Sequence, residues 1–218
     1  MSNEHISEDT TEAIDPAEAL SIYRDGTARA RFASVGNSRL MLVIWGVTWL
    51  IGYLCLWLSS TSRGGEPAAW AYAVFFGLLT AAAVTSTVAG VRASKRDGVV
   101  GPSALAAALF GWSWFVAFGG GMAMAGFLVG GYSLSGPVVA VLYNSLAALI
   151  VGSLYMAGAA VFKEPPMFVI GVVFVALGVV GAVVGVPTGY LIMGLAGGGL
   201  MLLGVVIETV RARRSVEA

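Results

Sequence analysis

The chain has 218 residues, 58% of them hydrophobic and only 11% charged, with a formal net charge of zero. A soluble domain carries about 25% charge, so the deficit excludes a water-soluble surface and points to a polytopic membrane protein. Zero net charge offers no electrostatic pull on nucleic acid or an acidic partner, and a single cysteine, Cys55, excludes an intrachain disulfide.

The first 18 residues hold Glu4, Glu8, Asp9, Glu12, Asp15 and Glu18 and no base. This predicts a disordered acidic tail over 1–14 and no cleavable signal peptide, because the start is acidic and not basic. Asp15-Pro16-Ala17-Glu18 then has the form of a helix start, with Asp15 capping free amides and Pro16 at the first helical position. A short amphipathic helix with Leu20, Ile22 and Tyr23 is expected to follow, interrupted at Gly26. Arg24, Arg29, Arg31 and Arg39 make its downstream part basic, which suits a juxtamembrane helix on anionic lipid headgroups. Docking of a membrane or cytoplasmic protein on that helix is the alternative.

Residues 40–58, LMLVIWGVTWLIGYLCLWL, hold no charge. Nineteen residues at about 1.5 Å rise cover roughly the 30 Å hydrocarbon core of a bilayer, so this is the first span. Further spans are expected at about 68–91, 103–129 and 137–162, the last closed by Lys163-Glu164-Pro165-Pro166. The remaining apolar run, 167–207, would extend about 61 Å as one helix, twice a bilayer core. Val186-Pro187-Thr188-Gly189 divides it by a tight turn into spans at 167–186 and 188–207. A basic tail, 208–218, ends the chain.

Arg24, Arg29, Arg31, Arg39, Arg92, Lys95, Arg96, Lys163, Arg211, Arg213 and Arg214 all fall on one side of such a bundle, and Arg63 alone falls on the other. The positive-inside rule makes the richer side cytoplasmic and places both termini there. Trp57, Trp70, Tyr72, Tyr132 and Tyr190 then form an expected outer aromatic belt.

Two internal echoes stand out. Trp45-Gly46-Val47-Thr48-Trp49 through Tyr53 resembles Phe110-Gly111-Trp112-Ser113-Trp114 through Phe118, both in helices running outward, as in a parallel repeat. Gly119-Gly120-Gly121 and Gly197-Gly198-Gly199 lie in helices of opposite direction, as in the inverted repeats of many secondary transporters. With 30 glycines in the chain, chance or plain packing explains either echo as well. The small-hydroxyl-aromatic face of Gly46, Thr48 and Trp49 is expected to turn into the bundle. Three consecutive glycines weaken a helix by about 1 kcal/mol each, which favours local unwinding at the triplets.

The spans contain no ionisable side chain of the kind that marks proton or ion pathways. The only histidine, His5, is in the tail, and Cys55 has no acid or base near it in sequence. No Walker motif, zinc spacing or nucleophile elbow appears. The expectation is therefore a protein that is not an enzyme, with no catalytic residue, cofactor or metal. Asn144 is the one side-chain amide in a span, expected to bridge helices by a hydrogen bond, with a ligand contact beside Tyr143 as the alternative. Gly126/Gly130, Gly181/Gly185, Gly194/Gly198 and Ala148/Gly152 are spaced for close helix packing within the bundle or, alternatively, between copies.

The segment from Pro16-Ala17-Glu18-Ala19-Leu20 through the arginines to Trp45–Tyr53 resembles the start of a group of small bacterial multi-pass membrane proteins, uncharacterised or labelled as transporters. The resemblance covers roughly residues 15–58. It implies a bacterial plasma-membrane protein and assigns no activity. The expected fold is an all-α bundle of six transmembrane helices. The expected role is that of an accessory or regulatory subunit acting by partner binding, and the alternative is a small-solute or ion transporter or channel built on an internal repeat.

Overall fold

The computed structural model describes the backbone of residues 16–97 and 102–217, and the side chains of 39–92, 105–207, 209 and 210. The acidic tail, His5 and Asp15 lie outside the described residues, as do the side chains of Arg24, Arg29, Arg31, Lys95, Arg96, Arg211, Arg213 and Arg214. The chain divides into two units, Met1–Ser38 and Arg39–Ala218.

The described residues are mostly helical, with short turns between helices and no strand. Helix α1 is Pro16–Thr61, α2 Ala69–Asp97, α3 Pro102–Tyr132, α4 Gly136–Phe162 and α5 Pro165–Val184. The chain then forms α6 (Thr188–Ile192), a π-helical segment (Met193–Gly198) and α7 (Gly199–Glu217). Six stretches are long and apolar enough to cross a membrane: Arg39–Thr61, Ala69–Arg92, Leu105–Tyr132, Gly136–Phe162, Pro165–Val184 and Thr188–Ile207. Each lies within a few residues of its expected span. The break expected at Gly26 is absent, and α1 is helical through it. One glycine costs about 1 kcal/mol relative to alanine, too little to end a helix by itself.

Local chemistry explains the boundaries. α4 starts from an extended Ser135 with proline in its first turn, where a missing N–H costs nothing. It ends at Lys163, whose left-handed backbone (φ 56°) lets its N–H donate to the Ala159 carbonyl. Proline again opens α5. The expected turn between the last two spans is present: Gly185 has φ 72°, a conformation open to glycine without penalty, and the Val186–Pro187 peptide is cis. The N–H groups of Gly189 and Tyr190 donate to the Gly185 and Pro187 carbonyls.

Three connections meet on one side. Gly65, in the α1–α2 loop, lies 3.5 Å from the Val186 side chain, measured from where its Cβ would stand. The Glu66 carboxylate abuts Gly136 at the start of α4. The α1–α2 loop, the start of α4 and the α5–α6 turn thus share a face, as strict alternation of six crossings requires.

Packing is uneven. α4 and α5 form a tight hairpin in which an added Cβ at Gly152 would stand 2.6 Å from the Gly171 carbonyl oxygen, and the reverse holds at Gly171. Gly178 rests on Ala148 and Ser145 in the same way. By contrast, only 6% of the α2 and α3 spans is buried within the chain, against 28–39% for the other four.

Candidate functional site

Among the described residues, the two spans with the largest buried shares, Arg39–Thr61 and Thr188–Ile207, meet in a seam. Gly46, Thr48 and Trp49 are all buried, so this face of α1 is turned inward. Opposite them lie Gly194, Gly197 and Gly198 of the π segment. A Cβ on Gly198 would come within 2.6 Å of the Leu50 amide nitrogen and 2.8 Å of the Gly46 carbonyl oxygen. One on Gly197 would meet the Trp49 ring at 2.9 Å, and one on Gly194 would meet Tyr53 at 3.1 Å. Backbone lies directly on backbone here, the close approach that small residues permit in membranes.

The seam opens onto a chain of aromatic contacts linking five helices. Phe75 of α2 meets Tyr53 at 4.9 Å between ring centroids, and Tyr53 meets Trp49 at 5.3 Å. Trp49 stands edge-on to Phe174 of α5 at 5.0 Å, Phe174 stacks on Tyr155 of α4 at 6.2 Å, and Tyr155 reaches Trp114 of α3 at 5.9 Å. Such pairs add about 0.5–1.5 kcal/mol each beyond area burial, so the chain ties peripheral α2 and α3 to the centre.

The candidate residues separate into two groups. Gly46, Trp49, Gly197 and Gly198 come together in the seam, with Thr48 beside them. Gly111, Gly119 and Gly120 face nothing within 4 Å, and Ser113 is exposed with its hydroxyl donating to the Leu109 carbonyl. Gly121 packs on Ile150, and Gly199 is open. Trp49 and Trp114 flank the same Phe174–Tyr155 stack, but the glycine and hydroxyl positions of that echo do not share an environment. Nor do the triplets: 119–121 continues an α-helix, whereas 197 and 198 end the π segment. The paired small residues Ala148/Gly152, Gly194/Gly198 and Gly181 pack within the chain, while Gly130 faces open space.

Asn144 corrects its expected role. Its amide donates to the Ala140 carbonyl of its own helix at 2.6 Å, not across helices. One turn of α-helix places that carbonyl within reach. Asn144 also lines a cavity of about 10 Å³ with Val141, Gly181, Gly189, Tyr190 and Met193. Tyr190 departs from the expected aromatic belt: it is buried at 2% exposure, with its ring against Tyr53 and its hydroxyl enclosed. Gly189 beside it lets the helix press onto Gly181 and carries Tyr190 inward. Trp70 and Tyr132 are exposed, and Trp57 is half-buried.

No family model, curated protein or solved structure matches this chain. Its chemistry is therefore read from its own residues. Among those described, no three His, Cys, Asp or Glu side chains form a group able to hold a metal ion. The hydroxyls of Thr80, Thr85 and Thr87 each donate to the carbonyl one turn back. The hydrogen bond that sequence reasoning missed is interhelical: Trp45 Nε1 donates to Ser86 Oγ at 3.0 Å, joining α1 to α2. An indole N–H and a hydroxyl in charge-free spans were the available signal, since each needs a partner inside a bilayer.

Proposed function

We propose that this integral membrane protein is a non-enzymatic accessory or regulatory subunit that works by binding another protein in the plasma membrane. The observation that carries the reading is the packed interior. Among the described residues, the cavity beside Asn144 and the one between α5 and the sixth span hold about 10 Å³ each, on the order of one water molecule, whereas small-molecule sites occupy roughly 300–1,000 Å³. Added support comes from the charge-free spans and from α2 and α3, whose surfaces this chain leaves largely uncovered.

In this proposal both termini are cytoplasmic, from the distribution of eleven basic residues against Arg63 alone, and the basic helix ahead of Arg39 meets lipid headgroups or a partner. Affinity purification from native membranes tests the reading. A stoichiometric partner should co-elute and be lost when residues 16–38 or the exposed α2 and α3 faces are altered. Recovery of the chain alone under mild detergent would count against it. The π-helical glycines of the sixth span favour the rival reading, a small transporter, since irregular backbone within a span is where such proteins place their sites.

A further inference from the structure

The sixth span and α5 touch closely at one end only. There a Cβ on Gly189 would stand 3.4 Å from the Gly181 carbonyl oxygen, and one on Gly181 would stand 3.2 Å from Met193 Cε. Beyond that contact Ile170, Val173 and Leu177 of α5 face Ala196 and Leu200 across an apolar slot. Phe174 and Met201, 1% and 3% exposed, form its floor. The enclosed volume, about 10 Å³, is too small for a solute. Leu200 is nevertheless 40% exposed, so the slot lies open along one side to whatever surrounds the bundle.

Its length is that of one leaflet. The two spans end at Pro165 and Ile207. From Pro165 to Leu177 the helix rises about 18 Å, and from Ile207 to Ala196 about 16 Å. Half of a hydrocarbon core is about 15 Å. On α7 the side that carries Leu200 continues through Gly204 and Ile207 to Arg211 at helical spacing. Gly204 adds no bulk there: a Cβ on it would meet only Leu42, at 3.7 Å.

The mouth of the slot is basic. Lys163 is exposed and ends α4 immediately before α5. Arg211, Arg213 and Arg214 follow the sixth span, with Glu164 and Glu208 beside these bases in sequence. On that side of the Arg39–Ala218 unit bases outnumber acids, whereas the other side carries Arg63 and Glu66 alone.

We propose that the slot between α5 and the sixth span binds one anionic phospholipid, with an acyl chain along Ala196 and Gly204 and the phosphate at the level of Lys163 and Arg211. An apolar slot by itself would take any chain. A basic mouth at headgroup depth selects the negatively charged lipid. The site is separate from the uncovered faces of α2 and α3, and it stands whether the protein is an accessory subunit or a carrier.

Native mass spectrometry of the full chain with added lipid tests this. Dioleoyl phosphatidylglycerol should be retained about tenfold more tightly than dioleoyl phosphatidylcholine. Lys163→Gln combined with Arg211→Gln should erase that preference. Ala196→Phe, which fills the slot, should weaken retention of both lipids. Short-chain phosphatidylglycerol, which cannot occupy the slot, should be held more weakly than the dioleoyl form. Equal retention of the two dioleoyl lipids, or a preference that survives the double substitution, would overturn the proposal. So would short and long phosphatidylglycerol held alike, because headgroups would then be adsorbing to a basic surface without the slot. That comparison uses the intact chain, so it decides even where Ala196→Phe fails to fold.

Discussion

Replacing Gly198 by alanine puts a methyl group where the structure has only backbone. Its carbon would stand 2.6 Å from the Leu50 nitrogen, 2.8 Å from the Gly46 oxygen and 3.0 Å from the Leu50 Cα. No flexible side chain is available to swing away, so α1 and the sixth span must separate by about 0.8 Å to restore ordinary contact near 3.4 Å. That separation weakens the neighbouring contacts of Gly197 with Trp49 and Gly194 with Tyr53. Overpacking of this kind costs about 1–3 kcal/mol, against which alanine regains up to about 1 kcal/mol of helix preference. The expected net loss is about 1–2 kcal/mol. Gly199→Ala is the control: its added Cβ meets nothing within 4 Å, so it should be neutral or stabilising by up to about 1 kcal/mol. Equilibrium unfolding in mild detergent, followed by tryptophan fluorescence, measures both. A Gly198→Ala protein as stable as Gly199→Ala would refute the backbone-on-backbone seam.

Further outcomes follow from the same geometry. Gly152→Ala and Gly171→Ala should each destabilise the α4–α5 hairpin by about 1–3 kcal/mol, and the double variant should lose less than the sum because both push the same helices apart; unfolding of the three proteins checks it. Trp45→Phe and Ser86→Ala each remove the same α1–α2 hydrogen bond, worth roughly 1 kcal/mol in a membrane, so a double-mutant cycle should show coupling of that order. Gly185→Ala and Gly185→Asn should each cost about 1–3 kcal/mol, since φ 72° with ψ −171° is a backbone region open essentially to glycine alone and outside the left-handed region that asparagine tolerates; thermal denaturation in detergent checks both. A reporter active only outside the cytoplasm should stay silent when fused to Ala218 and respond when inserted at Gly64.

The spans were legible because a bilayer imposes a length, and runs such as 40–58 and 167–207 answer to that length whatever packs against them. The turn at 185–187 was legible for the same reason, since 41 apolar residues must fold back once. The inward face of α1 was legible because Gly46, Thr48 and Trp49 combine residues that lipid does not favour. What escaped the sequence depends on neighbours from distant spans. The triplets at 119–121 and 197–199 read alike, yet the first continues a regular helix with Gly119 and Gly120 open, while Gly197 and Gly198 close a π segment against Trp49 and Leu50. Tyr190 reads as a belt residue because its distance along the helix is right, but Gly189 and Gly181 bring the helices close enough to enclose it. Asn144 reads as a bridge between helices, whereas its own Ala140 carbonyl satisfies it first. The α3 candidates divide in a way the sequence does not announce: Trp114 packs on Tyr155, whereas Gly111, Gly119 and Gly120 meet nothing within 4 Å.

The central claim is that this bundle is packed and acts through contact, not conduction. Solute and ion flux through the purified protein in sealed liposomes tests it most directly. The account predicts flux no greater than protein-free vesicles, with Gly198→Ala indistinguishable from the intact chain. Saturable, selective flux that Gly198→Ala abolishes would contradict it.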